Sequence, residues 1–160
     1  MNPRGRAGLI ALVVIALDRV SKLYIVARVS DSDIIPVIPP VFNIVHAENP
    51  GAAFSMLAGA PPFVRATLLV GVSLVVMVVI GVMLWRLPKQ ASLLTYSSLA
   101  LIFGGAFGNL WDRVFRGTVT DFLQVFIGSY EFPSFNVADS AITVGAALLC
   151  IDLWRTRKTP

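Results

Sequence analysis

The sequence contains few charged residues, a single cysteine and a single histidine. Only 14% of its 160 residues are charged and 56% are hydrophobic, whereas about a quarter of the residues in a soluble domain are charged. Cys150 is the only cysteine, so it has no partner for an internal disulfide. His46 is the only histidine, so the sequence contains no cluster of histidines and cysteines that could bind zinc. The composition therefore indicates a membrane protein and gives no reason to expect a metal.

Four apolar segments are candidates for membrane-spanning helices: 8–29, 64–85, 91–112 and 137–154. As helices they would be roughly 27–33 Å long, which is enough to cross a bilayer. The first segment also resembles a signal peptide, because Arg4 and Arg6 precede an apolar run. Asp18 and Lys22 replace the expected cleavage site, and their spacing suits a structural ion pair. We interpret residues 1–160 as one integral membrane domain.

Basic residues cluster at the chain ends and in one short loop. They are Arg4, Arg6, Arg86, Lys89, Arg155, Arg157 and Lys158. With four spans, all of them and both termini lie on one side of the membrane, and the positive-inside rule makes that side the cytoplasm. Membrane topology thus explains the formal net charge of +4, and we expect no nucleic acid partner.

Residues 30–62 would then form a small extramembrane piece on the outer side. Prolines recur through this segment and exclude a long helix, whereas residues 41–46 have the composition of a strand. The apolar residues at 52–57 indicate that this piece lies against the bilayer. The expected fold is a mainly α membrane protein with four transmembrane helices and a small, partly β subdomain on the periplasmic side.

Polar residues recur where the last two spans would reach the outer face. Asn109, Asp112 and Arg113 are spaced to share a helix face, and Asp121 and Asp139 follow. Polar side chains at membrane depth are costly and are usually functional. Two close carboxylates tend to share one proton, so that one can activate water while the other protonates a carbonyl, without a metal or a cofactor. We hypothesise that Asp121 and Asp139 cleave a peptide bond.

Other interpretations of these residues stay open. Asp112 and Arg113 could form a charge cluster on the surface, and Asn136 with Asp139 suits the N-cap and first turn of the last helix. A small proton-coupled carrier or a lipid-binding membrane protein could also use buried acids and an arginine. A carrier would more typically show repeated halves, and the chain has no internal repeat.

Five short motifs occur in order along the chain, at 18–22, 49–54, 104–113, 119–122 and 135–139. Together they resemble the motifs of the lipoprotein signal peptidases (signal peptidase II), and the resemblance covers nearly the whole chain. It implies an aspartyl endopeptidase of the bacterial inner membrane with its active site near the outer face. The implied substrates are diacylglyceryl-modified prolipoproteins, which would be cut just before the lipidated cysteine.

The resemblance also implies roles for individual residues. Asp121 and Asp139 would be the catalytic pair, and Asp18, Lys22 and Asp112 would support the fold. The residues implied to line the substrate site are Asn49, Gly51, Asn109, Arg113 and Asn136. Membrane lipids and cyclic peptide inhibitors of the globomycin type would be further partners, and no cofactor is implied.

Overall fold

The computed structural model describes residues 2–51 and 61–156. Its elements follow in the order α1 (Pro3–Arg28), β1 (Ile34–Ile38), β2 (Phe42–Asn49), α2 (Pro62–Arg86), α3 (Leu93–Phe115), β3 (Val119–Ile127), β4 (Tyr130–Phe135) and α4 (Val137–Thr156). The apolar residues expected to meet the bilayer at 52–57, which include the end of the second motif, lie outside the described residues, as do Arg157 and Lys158.

Two helices begin at side chains that cap their free backbone N–H groups. The Asn2 side chain accepts a hydrogen bond from the Gly5 N–H at 2.6 Å, and Ser92 Oγ accepts one from the Thr95 N–H at 2.9 Å. Both are favoured N-cap residues, and Pro3, whose ring fixes a helical φ, opens the first turn of α1. These caps define where α1 and α3 start.

Helix α3 is the centre of the protein. It packs against α1, α2 and α4, and 61% of its most apolar stretch is buried, against none of that of α2. Two glycines let its neighbours approach closely: a Cβ at Gly105 would lie 2.4 Å from the Ala138 carbonyl oxygen on α4, and one at Gly108 would lie 2.5 Å from Asp18 Oδ2 on α1. Close contact at small residues is the usual way in which membrane helices pack.

The apolar helices identify a membrane protein. Within residues 2–51 and 61–156, three helices are long and apolar enough to cross a bilayer: Phe63–Arg86, Leu93–Phe115 and Val137–Thr156. Helix α1 has 26 residues, which is about 39 Å, but Asp18, Arg19 and Lys22 interrupt its apolar face. The expected fourth span at 8–29 falls within this helix except for its last residue and stays a prediction.

The four strands form one antiparallel sheet in the order β1-β2-β3-β4. The expected small sheet is confirmed, its place on the periplasmic side stays a prediction, and β3 and β4 were not predicted as strands. Pro36 and Pro133 lie on the two edge strands, where a missing N–H leaves no ladder bond unmade. In the β2–β3 register Ala47 faces Asp121 and Asn49 faces Val119, which brings the second and fourth motifs side by side.

Candidate functional site

Asp121 and Asp139 line the same cavity, of about 550 Å³. Asp121 lies on β3 and is 3% exposed, and Asp139 lies in the first turn of α4. Asn49, Asn109 and Arg113, three of the five residues expected at the substrate site, also line this cavity. The structure therefore brings together side chains from β2, α3, β3 and α4.

Asp121 is held by two asparagine side chains, one on each carboxylate oxygen. Asn136 Nδ2 donates to Oδ1 at 2.7 Å, and Asn49 Nδ2 donates to Oδ2 at 2.9 Å. The oxygen of each amide is fixed by another donor: Asn136 Oδ1 accepts from the Asp139 N–H at 2.9 Å, and Asn49 Oδ1 accepts from the Gly51 N–H at 2.8 Å. Each amide is thus oriented with its NH₂ group toward Asp121.

Gly51 acts through this contact and does not line the cavity. Its φ of +105° belongs to the region that favours glycine. A Cβ at this position would lie 2.0 Å from Leu69 Cδ1, so any larger residue would force the Leu69 side chain on α2 to move. The glycine therefore shapes the turn that orients Asn49, and its expected contact with substrate stays a prediction.

Asn109 does for Asp139 what the other two asparagines do for Asp121. Its Nδ2 donates to Asp139 Oδ1 at 2.7 Å, while its Oδ1 accepts from Lys22 Nζ at 3.0 Å. A lysine ammonium has donors only, so it fixes which end of the amide faces Asp139. Lys22 thereby links the first motif directly to the carboxylate pair.

The predicted cap of α4 is present and is reciprocal. The Asp139 N–H donates to Asn136 Oδ1, and the Asn136 N–H donates to Asp139 Oδ2 at 3.3 Å, as in a capping box. Capping explains the backbone contacts of these residues. It does not explain the bond from Asn136 Nδ2 to Asp121, so Asn136 also joins the two carboxylates.

A buried ionic network lies beneath Asn109. Lys22 Nζ lies 2.9 Å from Asp18 Oδ2 and 2.8 Å from Asp112 Oδ2, and all three side chains are fully buried. Arg19 also pairs with Asp112, and Asp18 Oδ1 accepts from the Ala138 N–H at 3.0 Å. The predicted Asp18–Lys22 pair is therefore part of a larger network that joins α1, α3 and α4, and Asp112 does not belong to a surface cluster.

Arg113 points to the cavity, away from the partners of Asp112. Its Nη1 donates to the Asn109 carbonyl oxygen at 3.4 Å, and its buried Nε has no hydrogen-bond partner among the described residues. The charges of Asp139 and Asp121 act on its guanidinium. An arginine with free donors beside two carboxylates can brace them or bind a carbonyl or phosphate oxygen.

Burial raises the pKa of Asp121 from 3.8 to about 6. Hydrogen bonds from Asn49 and Asn136 oppose this rise, and the negative charge of Asp139 adds to it. A carboxyl group with a pKa in this range exchanges its proton near neutral pH, as an acid or base catalyst must. The site can therefore move protons without a metal, and no group of three His, Cys, Asp or Glu side chains within 2–51 and 61–156 could hold one.

Glu48 on β2 connects the elements beside the site. It accepts hydrogen bonds from Thr120 Oγ1 at 2.9 Å and Arg116 Nη2 at 3.0 Å, and another from Thr118 Oγ1. Burial would raise the pKa of Glu48, but the hydrogen bonds outweigh burial and lower it. Since Glu48 precedes Asn49 in the chain, these bonds hold β2 in the position from which Asn49 meets Asp121.

The remaining wall of the cavity is mainly apolar. It is formed by Phe132, Pro133, Phe135, Thr143 and Val144, among others. Phe132 and Phe135 pack edge to face with ring centroids 5.9 Å apart. Except for Phe135, which opens the fifth motif, these residues lie outside the five motifs, so the sequence carried no signal for this wall.

The fold and the site define a membrane enzyme. Two solved structures that are described as bacterial membrane enzymes are similar to this chain. One has 33% sequence identity and a TM-score of 0.85, covering 96% of this chain and 90% of its own. The other has 34% identity and a TM-score of 0.82, covering 93% and 92%.

The sequence narrows this class to one family. The family model described as signal peptidase (SPase) II matches residues 10–155 of this chain. Lipoprotein signal peptidases from Solibacter usitatus and Pseudomonas paraeruginosa are 42% and 43% identical to this chain, over 97% and 94% of it and over 94% and 88% of their own lengths. The chain belongs to the signal peptidase II family and is a peptidase. The resemblance stated from the motifs is confirmed, and the carrier alternative is not favoured.

Proposed function

We propose that this peptidase removes signal peptides from prolipoproteins, with Asp121 and Asp139 as its catalytic pair. One observation carries the assignment of the pair. Two carboxylates line one cavity, and each accepts a hydrogen bond from an asparagine amide whose own oxygen is fixed by another donor. Such preorganised donors keep reacting groups in place without reorganisation.

The pair performs hydrolysis with one shared proton. The ionised aspartate takes a proton from water, and the resulting hydroxide adds to the carbonyl carbon of the scissile bond. The protonated aspartate gives its proton to the carbonyl oxygen, forming a neutral tetrahedral intermediate. The aspartate that took the water proton then gives it to the departing amine, while the other aspartate takes a hydroxyl proton from the intermediate. The C–N bond breaks, a carboxylic acid forms, and the pair again holds one proton. A pKa of about 6 for Asp121 lets this residue act as the proton donor or as the proton acceptor.

Arg113 and the apolar wall complete the substrate site. Free donors on the guanidinium suit the backbone or headgroup oxygens of a lipidated peptide, and the Phe132 side of the cavity suits its apolar part. In this proposal the substrate carries a diacylglyceryl group and is cut just before the lipidated cysteine. The two acyl chains would hold the scissile bond at the membrane surface, and a cyclic peptide of the globomycin type would occupy the same cavity.

The proposed setting is the bacterial inner membrane. Helix α1 would be the fourth span, with its Asp18–Lys22 network shielded from lipid because both side chains are fully buried within the protein. Both termini would lie in the cytoplasm, since the basic residues cluster at that end. The cavity then lies near the outer face, where translocated substrates arrive.

A cleavage assay tests the proposed function. The purified protein is incubated with a precursor peptide that carries the diacylglyceryl cysteine, and with the same peptide lacking the lipid. Mass spectrometry should show that only the lipidated peptide is cleaved, on the N-terminal side of its lipidated cysteine. The same product should form with and without a chelator. An intact lipidated precursor would contradict the proposed function, and loss of cleavage on chelation with recovery on adding a divalent metal would contradict the aspartyl mechanism.

A further inference from the structure

A second cavity lies at the opposite end of the helices from the carboxylate pair. Helices α1 and α2 both pack on α3, and their own contact is limited and includes the bond from Arg4 to Trp85. The gap between them has a volume of about 480 Å³ and is lined by, among others, Ala7, Gly8, Ala11, Leu84, Trp85 and Phe103. These side chains come from the start of α1, the end of α2 and the first half of α3.

The cavity suits a hydrocarbon chain. Its lining is apolar except at Arg4 and Tyr96, and the Tyr96 hydroxyl already donates to the Leu87 carbonyl oxygen at 3.2 Å. Water would therefore find few partners inside. The most apolar stretch of α2 is not buried by the rest of the protein, so lipid can reach the gap from the side.

The mouth of the cavity is basic. Arg4 Nη2 donates to the Trp85 carbonyl oxygen at 2.8 Å, and the guanidinium carbon lies 5.7 Å from the centroid of the Trp85 ring. The hydrogen bonds of Arg4 within the described residues all use Nη2, which leaves donors on its other nitrogens. Arg6 and Arg86 lie at the same end of the helices.

Asp152 lies at the same end of the helices but does not line the cavity. It accepts hydrogen bonds from the hydroxyl groups of Ser92 and Thr95 at the start of α3. Basic pockets between membrane helices are known recognition sites for anionic headgroups. An uncharged cavity with an arginine at its opening matches a ligand with an apolar chain and a phosphate.

We propose that this cavity binds one acyl chain of an anionic phospholipid, with the lipid phosphate at Arg4. The proposal rests on the membrane setting given under the proposed function, but not on its chemistry. It assigns a binding site remote from the carboxylate pair. Occupation of the site would fill the gap between α1 and α2 and add to the contact that Arg4 already makes with Trp85.

A leucine at Gly8 tests the cavity. A Cβ at Gly8 meets no atom within 4 Å, so the larger side chain can enter the gap without displacing α2 or α3. Gly71 on α2 is the matched control, because its Cβ also meets no atom within 4 Å and it does not line the cavity. The two substitutions give the same gain in helix propensity, so only occupation of the cavity distinguishes them.

Native mass spectrometry of the detergent-purified protein, titrated with phosphatidylglycerol or phosphatidylcholine, gives the readout. The parent and Gly71→Leu should retain one phosphatidylglycerol in preference to phosphatidylcholine, and Gly8→Leu should lose this complex. Equal retention by Gly8→Leu and Gly71→Leu would overturn the proposal, as would a ladder of adducts without preference, which indicates annular lipid only.

Two variants that each remove one positive charge test the contact with the lipid headgroup. Arg4→Gln removes the charge at the mouth, and Arg6→Gln removes one two residues away that does not line the cavity. The preference for phosphatidylglycerol should fall about fivefold in Arg4→Gln and less in Arg6→Gln, and equal falls would contradict a specific site. Because lipid retention is read without substrate, its failure is distinct from a failure of prolipoprotein cleavage.

Discussion

Replacing Asp121 with asparagine should relieve an electrostatic cost that the folded protein carries at neutral pH. Burial raises the pKa of this carboxyl from 3.8 to about 6, so the folded state binds a proton more tightly than the unfolded chain does. Between these two values stability falls as the pH rises, because folding must take up a proton that the unfolded chain has already lost. The cost is absent below pH 3.8 and complete above about pH 6.

The size of the cost follows from the pKa difference. Two pKa units correspond to about 3 kcal/mol, which the amide of Asp121→Asn would not incur. The amide has its own cost, because Asn49 and Asn136 both present NH₂ groups to residue 121. In the variant, the NH₂ group of one of these two asparagines would face the new NH₂ group at residue 121 and lose its acceptor. The loss would destabilise the folded state by roughly 1–3 kcal/mol. This second cost does not depend on pH, so the slope with pH isolates the first.

Thermal unfolding of the purified protein across pH 4 to 8 measures that slope. The difference in Tm, variant minus parent, should increase with pH by roughly 6–12 °C, since a chain of this size shifts by about 2–4 °C per kcal/mol. Glu131→Gln, on the exposed edge strand β4, is the control for changing an acid to an amide in the same sheet. A difference for Asp121→Asn that is constant with pH, or that decreases, would refute the reasoning.

Three further predictions concern the site and the membrane. Arg113→Lys keeps the charge but loses the planar set of donors, so kcat/KM for the lipidated precursor should fall about tenfold, the equivalent of about 1.4 kcal/mol; unchanged kinetics would argue against a geometric role. Glu48→Gln should loosen Asn49 from Asp121 and thereby raise the pKa read from the pH profile of kcat/KM, whereas Glu131→Gln should leave that profile in place. Accessibility of tags should place residues 86–90 in the cytoplasm and Asp31 outside, and the opposite result would reverse the proposed topology.

Local patterns in the sequence predict the helices and the motifs, because the signals for both lie within a few residues. The run at 137–154 corresponds to α4, and the cap at Asn136 is visible from its spacing to Asp139. The Asp18–Lys22 pair is similarly a matter of one helical turn. Such features need no knowledge of the rest of the chain.

The missed features depend on contacts between distant residues. Strand β3 pairs with β2, about seventy positions earlier, and β4 joins the sheet only through β3. Consecutive buried residues at the start of β3 also hide the alternation that marks a strand. Asp112 pairs with Lys22 and Arg19 of another helix. The spacing of Asp112 and Arg113 alone could not show that only Arg113 lines the cavity. The same distance concealed Glu48, whose partners follow α3.

Single-turnover cleavage of a diacylglyceryl precursor by three asparagine variants tests the carboxylate pair most directly. Asp121→Asn and Asp139→Asn should each lower the rate by at least about a hundredfold, because neither aspartate can perform the proton transfer of the other. Asp152→Asn, at the far end of α4, should retain most of the parent rate while carrying the same change of acid to amide. Near-normal cleavage by either the Asp121 or the Asp139 variant, in protein that is folded and membrane-inserted, would contradict the assignment of the pair.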